Sequence, residues 1–464
     1  MSTALTVDVR MYHVGELGDC FLLRFTEGRK QSNVLIDCGS FRNGEKSQKR
    51  LKTVVADIKE TLAGKKLDLI VGTHQHNDHL SGFVHCEAQF EGLVDQVWLS
   101  WLDNPKDKLA RQIASGQQQL VGQLTTIRNK LTALDIKLAD PALEDMLGFY
   151  AADVNGAPGL PAMGIEVLKR IGDKEPAYLS PGQVLGLPGM TEDQVKVYVL
   201  GPPRNREQLF DKDPGKGESY DKHLALANIS AAQILSALDN MGPDPQERNK
   251  HEEQFPFNKI FTRKREEANK DILALYNNTE SKWRQIDTQW LNQAGRLALY
   301  LDSYTNNSSL VLAFELVKSG KVLLFAADAQ TGNWLSWEQI KWKGAPEGFN
   351  TYRLLENTVL YKVGHHGSHN ATLVKALEAM QHEELVAMIP VDEKDPNITK
   401  VNGWKMPAPK LFRRLVEKTQ HRVLRMDMGF AAGCRPGNGT GAWEKLPFMP
   451  EVKEGVYVEY RVKG

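Results

Sequence analysis

An α/β fold, with a strand-built core interrupted by helical stretches, is what this sequence predicts. Three observations predict it. Short apolar runs bounded by turn residues alternate with a helical pattern over the first 100 residues. Chemically able side chains fall at the ends of such runs, where layered α/β proteins assemble their sites. Two polar stretches then break the pattern, and strand-like runs resume after each.

Taken in order, Leu5 to Tyr12 and Cys20 to Phe25 read as the first strands. Asn33 to Ile36 reads as a third, closed by the turn residues Asp37-Cys38-Gly39. Leu51 to Ala63 reads as a helix leading into Leu67 to Thr73, a short apolar run typical of a buried strand. Val94 to Ser100 is a further strand. From Asp103 the pattern changes. Asn104 can cap a helix, and Pro105 is tolerated at a first helical position. Leu109, Ile113, Leu120, Leu124, Ile127, Leu131 and Leu134 follow at steps of three, four or seven, which predicts a long amphipathic helix covering a core or pairing with another helix.

Val195 to Leu200, followed by Gly201-Pro202-Pro203, returns to strand. Residues 204–292 are rich in charge, with Trp283, Ile286 and Trp290 at helical spacing, and those charges read mainly as solvated faces. Ser309 to Leu316, Lys321 to Phe325 and Leu360 to Val363 complete the strands. The second of these ends in Ala326-Ala327-Asp328, and the third in Gly364-His365-His366-Gly367-Ser368. With no internal repeat or low-complexity linker, residues 1–464 read as one elaborated unit carrying helical insertions at 103–190 and 206–296.

Composition narrows the function classes. Lys plus Arg and Asp plus Glu are equal at 58 each, so no net basic field marks a dedicated nucleic-acid binder, although a local basic cleft is compatible with that balance. Cys20, Cys38, Cys86 and Cys434 are scattered, without a Cys-x-x-Cys pair, and read as buried or incidental thiols. The first residues have no apolar signal core, and nowhere do 18 apolar residues run together. The expectation is a cytoplasmic protein that does not engage a membrane.

The run His74-Gln75-His76-Asn77-Asp78-His79 carries the chemistry. Three of the 12 histidines fall in this one hexapeptide. Histidines at i and i+2 of an extended segment project to the same side, and an adjacent Asp-His pair at a bend can face the same point. Imidazole nitrogens with a carboxylate suit zinc, manganese or iron better than calcium or magnesium. Asp328 and the His365-His366 pair lie at two other strand ends. A carboxylate there can bridge two cations, which at about 3.5–4 Å apart would clamp both sides of a displacement.

These residues resemble the metallo-β-lactamase-fold hydrolases, whose signature is His-x-His-x-Asp-His after an apolar strand. Gly15 to Cys20, Leu35 to Gly39, Phe325 to Asp328 and Lys362 to Ser368 agree in order. The last run, with Asn306-Asn307-Ser308-Ser309-Leu310-Val311-Leu312, is similar to the subgroup typified by the hydrolase domain of ComEC-type competence proteins. The matching blocks span roughly 5–100, 195–205 and 300–370, and the insertions have no counterpart.

The resemblance implies an αββα sandwich with a site for one or two Zn²⁺ ions, or Mn²⁺, along one edge. It makes His74 and His76 ligands of a first metal, Asp78 and His79 ligands of a second, and Asp328 the bridge. His365 is the late ligand it implies, with His366 the alternative. Asp37 is either a support that orients ligands or a plain turn aspartate. One departure stands out: the histidine that usually precedes the bridging aspartate's strand is missing, the segment reading Tyr304-Thr305-Asn306-Asn307-Ser308-Ser309. His85 and His223 are the candidates to replace it. Lys362 and Ser368 either meet phosphate oxygens of a substrate or, for Lys362, sit solvated at a strand end. Trp334 and Trp337 either wall the pocket, stacking a base, or pack the core. Asn307 and Ser309 are candidates to bond the site loops.

The resulting expectation is a hydrolase using a metal-bound hydroxide oriented by Asp78, acting on a phosphodiester of nucleic acid or a nucleotide. The alternatives are a component of a multi-protein assembly, such as a bacterial defence system, docking a protein partner through its insertions, and a thiolester or lactone hydrolase of the same fold.

Overall fold

The computed structural model describes residues 4–136, 138, 141–150, 159–209, 220–241, 267, 269–278, 291–401, 403–437 and 442–464. Among these, sixteen strands form two eight-stranded sheets. In the first sheet β1 (Thr6–Tyr12), β2 (Cys20–Glu27) and β3 (Lys30–Cys38) run antiparallel. β4 (Leu67–Val71), β5 (Val94–Ser100) and β6 (Ala177–Leu179) continue from β3 in parallel. The second sheet carries β7 (Val184–Gly186), β8 (Val195–Gly201), β9 (Val311–Leu316), β10 (Lys321–Phe325), β11 (Thr358–Lys362), β12 (Val386–Ile389), β13 (Val423–Arg425) and β14 (Gly429–Phe430), side by side in that order. β10 to β13 are its parallel part. β15 (Glu451–Lys453) and β16 (Tyr457–Lys463) return to the first sheet, where β16 pairs with β1.

Side-chain alternation sorts the core. On β9, Leu312, Phe314 and Leu316 join the cluster between the sheets, while Val311 and Ala313 face the helices outside. Phe25–Phe314 and Phe21–Phe325 meet across the interface at ring separations of 5.7 Å. The β2–β3 hairpin turns on Gly28-Arg29, with glycine first at φ 62°, as a two-residue loop requires.

Helix α1 (Glu45–Leu62) starts six residues ahead of the expected Leu51, with Gly44 at the N-cap. Its buried stripe of Leu51, Val54, Val55, Ile58 and Leu62 is what the pattern revealed; the exposed polar first turn gave no signal. α2 (Asn77–His85) carries two of the candidate ligands. α3 (Lys108–Ala133) is the long amphipathic helix, capped by Asp107 rather than Asn104: Asp107 Oδ1 accepts from the amides of Leu109 and Ala110. α3 packs on α4 (Ala142–Tyr150), on α6 (Tyr220–Met241) and on α8 (Asn292–Asn307).

The stretch expected as one helical insertion over 103–190 is only partly that. α5 (Leu160–Ile171) packs on α2 and buries Ile165 and Leu168 with residues of α2 and the first sheet, and β6 and β7 extend the two sheets. In the second insertion, α7 (Lys270–Asn277) buries none of its residues, while Trp283, Ile286 and Trp290 lie outside the described residues. No helix among the described residues is long and apolar enough to cross a membrane.

Candidate metal centre

β4 ends at Val71, the chain bends at Gln75, where His76 N donates to His74 O at 3.0 Å, and His76 is the residue that precedes α2. Asp78 and His79 therefore sit in the first turn of a helix rather than at an open bend. The backbone of that turn is clasped by the loops after β1 and β3. Asp19 N donates to Asp78 O at 2.9 Å, and Gly39 N donates to Asp19 O at 3.0 Å. A Cβ on Gly39 would lie 2.4 Å from the Asp78 carbonyl carbon, so only glycine permits this approach.

The structure brings together Asp78, His79, Asp328 and His366, whose ligand atoms lie within 4.8 Å of one another. His79 Nδ1 faces Asp37 Oδ2 at 2.7 Å, which places the proton on Nδ1 and the lone pair on Nε2. That Nε2 lies 3.2 Å from Asp328 Oδ2 and 3.6 Å from Asp78 Oδ2. His366 Nδ1 faces Pro390 O at 2.7 Å, so its Nε2 lone pair points at Asp78 Oδ2, 2.9 Å away. Acceptors that face one another this closely need a cation or a proton between them. Burial opposes charge on both rings, yet Asp328 and Asp78 raise the proton affinity of His79, and Asp78 and Asp328 that of His366. Asp78 Oδ1, His79 Nε2 and Asp328 Oδ2 are buried without a hydrogen-bond partner. Orphaned buried atoms of this chemistry fit a divalent cation.

His74 and His76 stand beside this group. His74 Nε2 and His76 Nδ1 approach to 3.1 Å. Burial is the main reason both rings resist protonation, His74 well below the usual histidine range and His76 down to about 3. A cavity of about 20 Å³, room for one water molecule, opens against His74, Gln75, Asp103, Gln117 and Tyr304. All these ligands are deeply buried; His365, at 7 % exposure, is the most accessible of the candidates.

Of the two late histidines, His366 rather than His365 reaches the group. Both adopt left-handed backbone, φ 43° and 52°, and this double turn carries the second ring to Asp78. His365 braces instead: its amide donates to Asp328 Oδ1 at 3.0 Å, and its Nδ1 contacts Ser368 Oγ at 2.9 Å and Gln330 Nε2 at 3.3 Å. Ser368 thus supports His365 and also donates to Asn370 Oδ1 at 2.8 Å. Lys362 is neither solvated nor turned to a substrate. It is 1 % exposed, ion-paired with Asp19, and donates to Ala327 O at 2.8 Å and Asp328 Oδ1 at 3.3 Å. Strain gathers here too, since Asp37 and Ala327 also have positive φ, 55° and 46°.

Asp37 is a support: Oδ1 accepts from Thr73 N at 2.9 Å, and Oδ2 from Thr73 Oγ1 at 2.7 Å as well as from His79. Asn307 Oδ1 accepts from the amides of Gln330 and Asn333, and Ser309 Oγ from that of Asp328, so both brace the loop after β10. Trp334 and Trp337 are core residues, rings 4.0 Å apart, their indole nitrogens bonded to Ala329 O and Ala371 O and to Asn333 Oδ1. His85 lies outside the group, its Nε2 3.5 Å from Asn43 Oδ1, and the side chain of His223 lies outside the described residues.

Residues that sequence reasoning missed are Asp19, Tyr150 and Asp302. Asp19 lay in a quoted motif but carried no metal-ligand spacing. Tyr150, on α4, places its hydroxyl 3.4 Å from His76 Nε2, and Asp302 Oδ1, on α8, lies 3.7 Å from the same atom. Phe149 covers the His76 ring at 4.9 Å and packs in turn on Phe41 and Trp404.

The sequence profile of the metallo-beta-lactamase superfamily matches residues 14–87, the segment that holds Asp19, Asp37 and the whole His74–His79 run. That superfamily is made up mostly of metal-dependent hydrolases, and the two-sheet α/β architecture is consistent with its fold. No curated protein matches the chain.

Proposed function

We propose that this chain is a metal-dependent hydrolase acting on a phosphodiester of a nucleic acid or nucleotide. One observation carries the metal reading: Asp78, His79, Asp328 and His366 bring ligand atoms within 4.8 Å of one another at one buried point, where Asp78 Oδ1, His79 Nε2 and Asp328 Oδ2 have no hydrogen-bond partner. In this reading those four residues hold one divalent cation, zinc or else manganese, and His74 with His76 holds another. Cations there would acidify water and neutralise charge on the group being split. Asp78 Oδ1 would accept a hydrogen bond from the attacking water and orient it. Lys362, pinned between Asp19 and Asp328, fixes the carboxylate shared by the two positions. The phosphodiester rests on the likeness of Lys362 to Ser368 and Asn306 to Leu312 to the ComEC-type subgroup.

The test is hydrolysis by purified chain with Mn²⁺ or Zn²⁺, comparing bis-p-nitrophenyl phosphate and nucleic acids with thiolesters and lactones. Phosphodiester cleavage that disappears in His76→Ala and Asp328→Ala supports the reading. Cleavage of thiolesters or lactones alone would replace the substrate class, and undiminished cleavage by both variants would remove the assignment.

A second reading, in which the chain serves within a multi-protein assembly, is favoured by α7. Ile272 and Leu275, one helical turn apart, are 63 % and 69 % exposed there. Ile272→Asp with Leu275→Asp should then lose a co-purifying partner at unchanged metal content; a chain that purifies alone in both forms counts against it.

A further inference from the structure

Two neutral imidazoles can aim lone pairs at one cation only if each carries its proton on the opposite nitrogen. His74 and His76 bring Nε2 and Nδ1 together, so the protons belong on His74 Nδ1 and His76 Nε2. For His74 the acceptors come from the core. Thr73 Oγ1 lies 3.1 Å and Ser309 Oγ 3.3 Å from Nδ1, and Thr73 has an outlet for its own hydrogen in Asp37 Oδ2. For His76 they come from α4 and α8. Tyr150 OH lies 3.4 Å from Nε2, with Leu301 O at 3.1 Å and Thr305 Oγ1 at 2.7 Å to take the phenol hydrogen, so an oxygen lone pair is left for the ring. Asp302 Oδ1, at 3.7 Å, is beyond hydrogen-bond reach and acts as a charge. Its other oxygen accepts from Asn306 Nδ2 at 3.2 Å, which fixes the carboxylate.

We propose that Tyr150 and Asp302 are positioning residues of the metal centre, holding His76 in the tautomer and orientation that present Nδ1 beside His74 Nε2. The inference rests on the metal-hydrolase reading above and extends it: α4 and α8 become part of the ligand machinery rather than a cover over it. Outer partners of ligating histidines set metal affinity because they fix the ring and raise its basicity.

Co²⁺ titration of the full chain, followed by visible absorption and elemental analysis, tests this. The wild type should bind two ions. Asp302→Asn and Tyr150→Phe should each keep one ion at wild-type affinity and weaken the other about 10–100-fold, with a changed absorption band. Ala298→Gly, buried on the same helix but with no polar side-chain atom to offer the site, separates a specific loss from general loosening and should bind as wild type does. Unchanged affinity for both ions in Asp302→Asn and Tyr150→Phe would overturn the proposal, as would an equal loss in Ala298→Gly. A wild type that binds a single ion overturns it while sparing the hydrolase reading. A wild type that binds none removes both.

Discussion

The Asp78–His79–Asp328–His366 side of the centre and the His74–His76 side share one buried site but are held in different ways. On the first side every ligand is fixed by the sandwich itself: Asp37 orients His79, Lys362 and the His365 amide hold Asp328, and Pro390 O turns His366. Carboxylates outnumber what the single buried lysine can neutralise, so this side attracts a cation strongly. The second side consists of two neutral rings, one resting on the core and the other on Tyr150, Phe149 and Asp302 of α4 and α8. The contrast teaches that charge and rigid strand ends build the one half, while helices packed beside the sandwich complete the other.

Substitutions can break that contrast. The largest effect should come from His79→Ala, which removes the ring shared by both carboxylates; turnover should fall by at least about 10³-fold and metal content should drop on elemental analysis. Lys362→Met should destabilise the metal-free chain by about 3–5 kcal/mol in urea unfolding, because Asp19 and Asp328 lose their buried counter-charge. Added Zn²⁺ should narrow that difference, and a difference unaffected by metal would contradict the cation-attracting account.

Phe149→Ala should cost about 3–5 kcal/mol or somewhat less, as cavity formation in a packed aromatic group does. It should loosen the His76 side alone, seen as faster proteolysis within residues 134–160 at unchanged occupancy of the Asp78 side. Asp103 gives a pH signature. Burial raises its pKa to about 6 from 3.8, so the folded state binds the proton more tightly than the unfolded one. The contribution of Asp103 to stability should therefore rise as pH falls from about 6 towards 4, read as the difference between wild type and Asp103→Asn, because the buried neutral His74 and His76 pull the total the other way. Asp103→Asn should abolish that slope and stabilise the chain at pH 7 by on the order of 2 kcal/mol. The smallest effect belongs to Lys400→Ala, which removes a half-exposed pair with Asp145 on α4, about 0.5–1 kcal/mol.

Much of the sandwich was legible because its strands are short, apolar and bounded by turns. Val94–Ser100 and Lys321–Phe325 have the predicted limits, and the three strand-end groups do converge. Capping was less legible, since Asn104 and Asp107 are both competent caps and only the path of the chain selects one. The His365–His366 choice needed backbone angles that no residue pattern encodes. Lys362 was misjudged because its acceptors, Asp19 and Ala327, lie far off in sequence, and a lysine at a strand end reads as solvated until they are placed. Tyr150 and Asp302 left no signal at all, being ordinary helical residues until the helices dock.

The pairing of β16 with β1 has a consequence for how the chain is made. Arg10 on β1 donates to Glu459 on β16, a partner 449 residues later, and Tyr12 lies opposite Tyr457. While a ribosome is still extending the polypeptide, the outer edge of β1 has no neighbour and offers bare amides and carbonyls to any passing strand. Nascent chains of this protein thus carry one sticky seam open until β16 has emerged, and shielding by chaperones matters most in that interval.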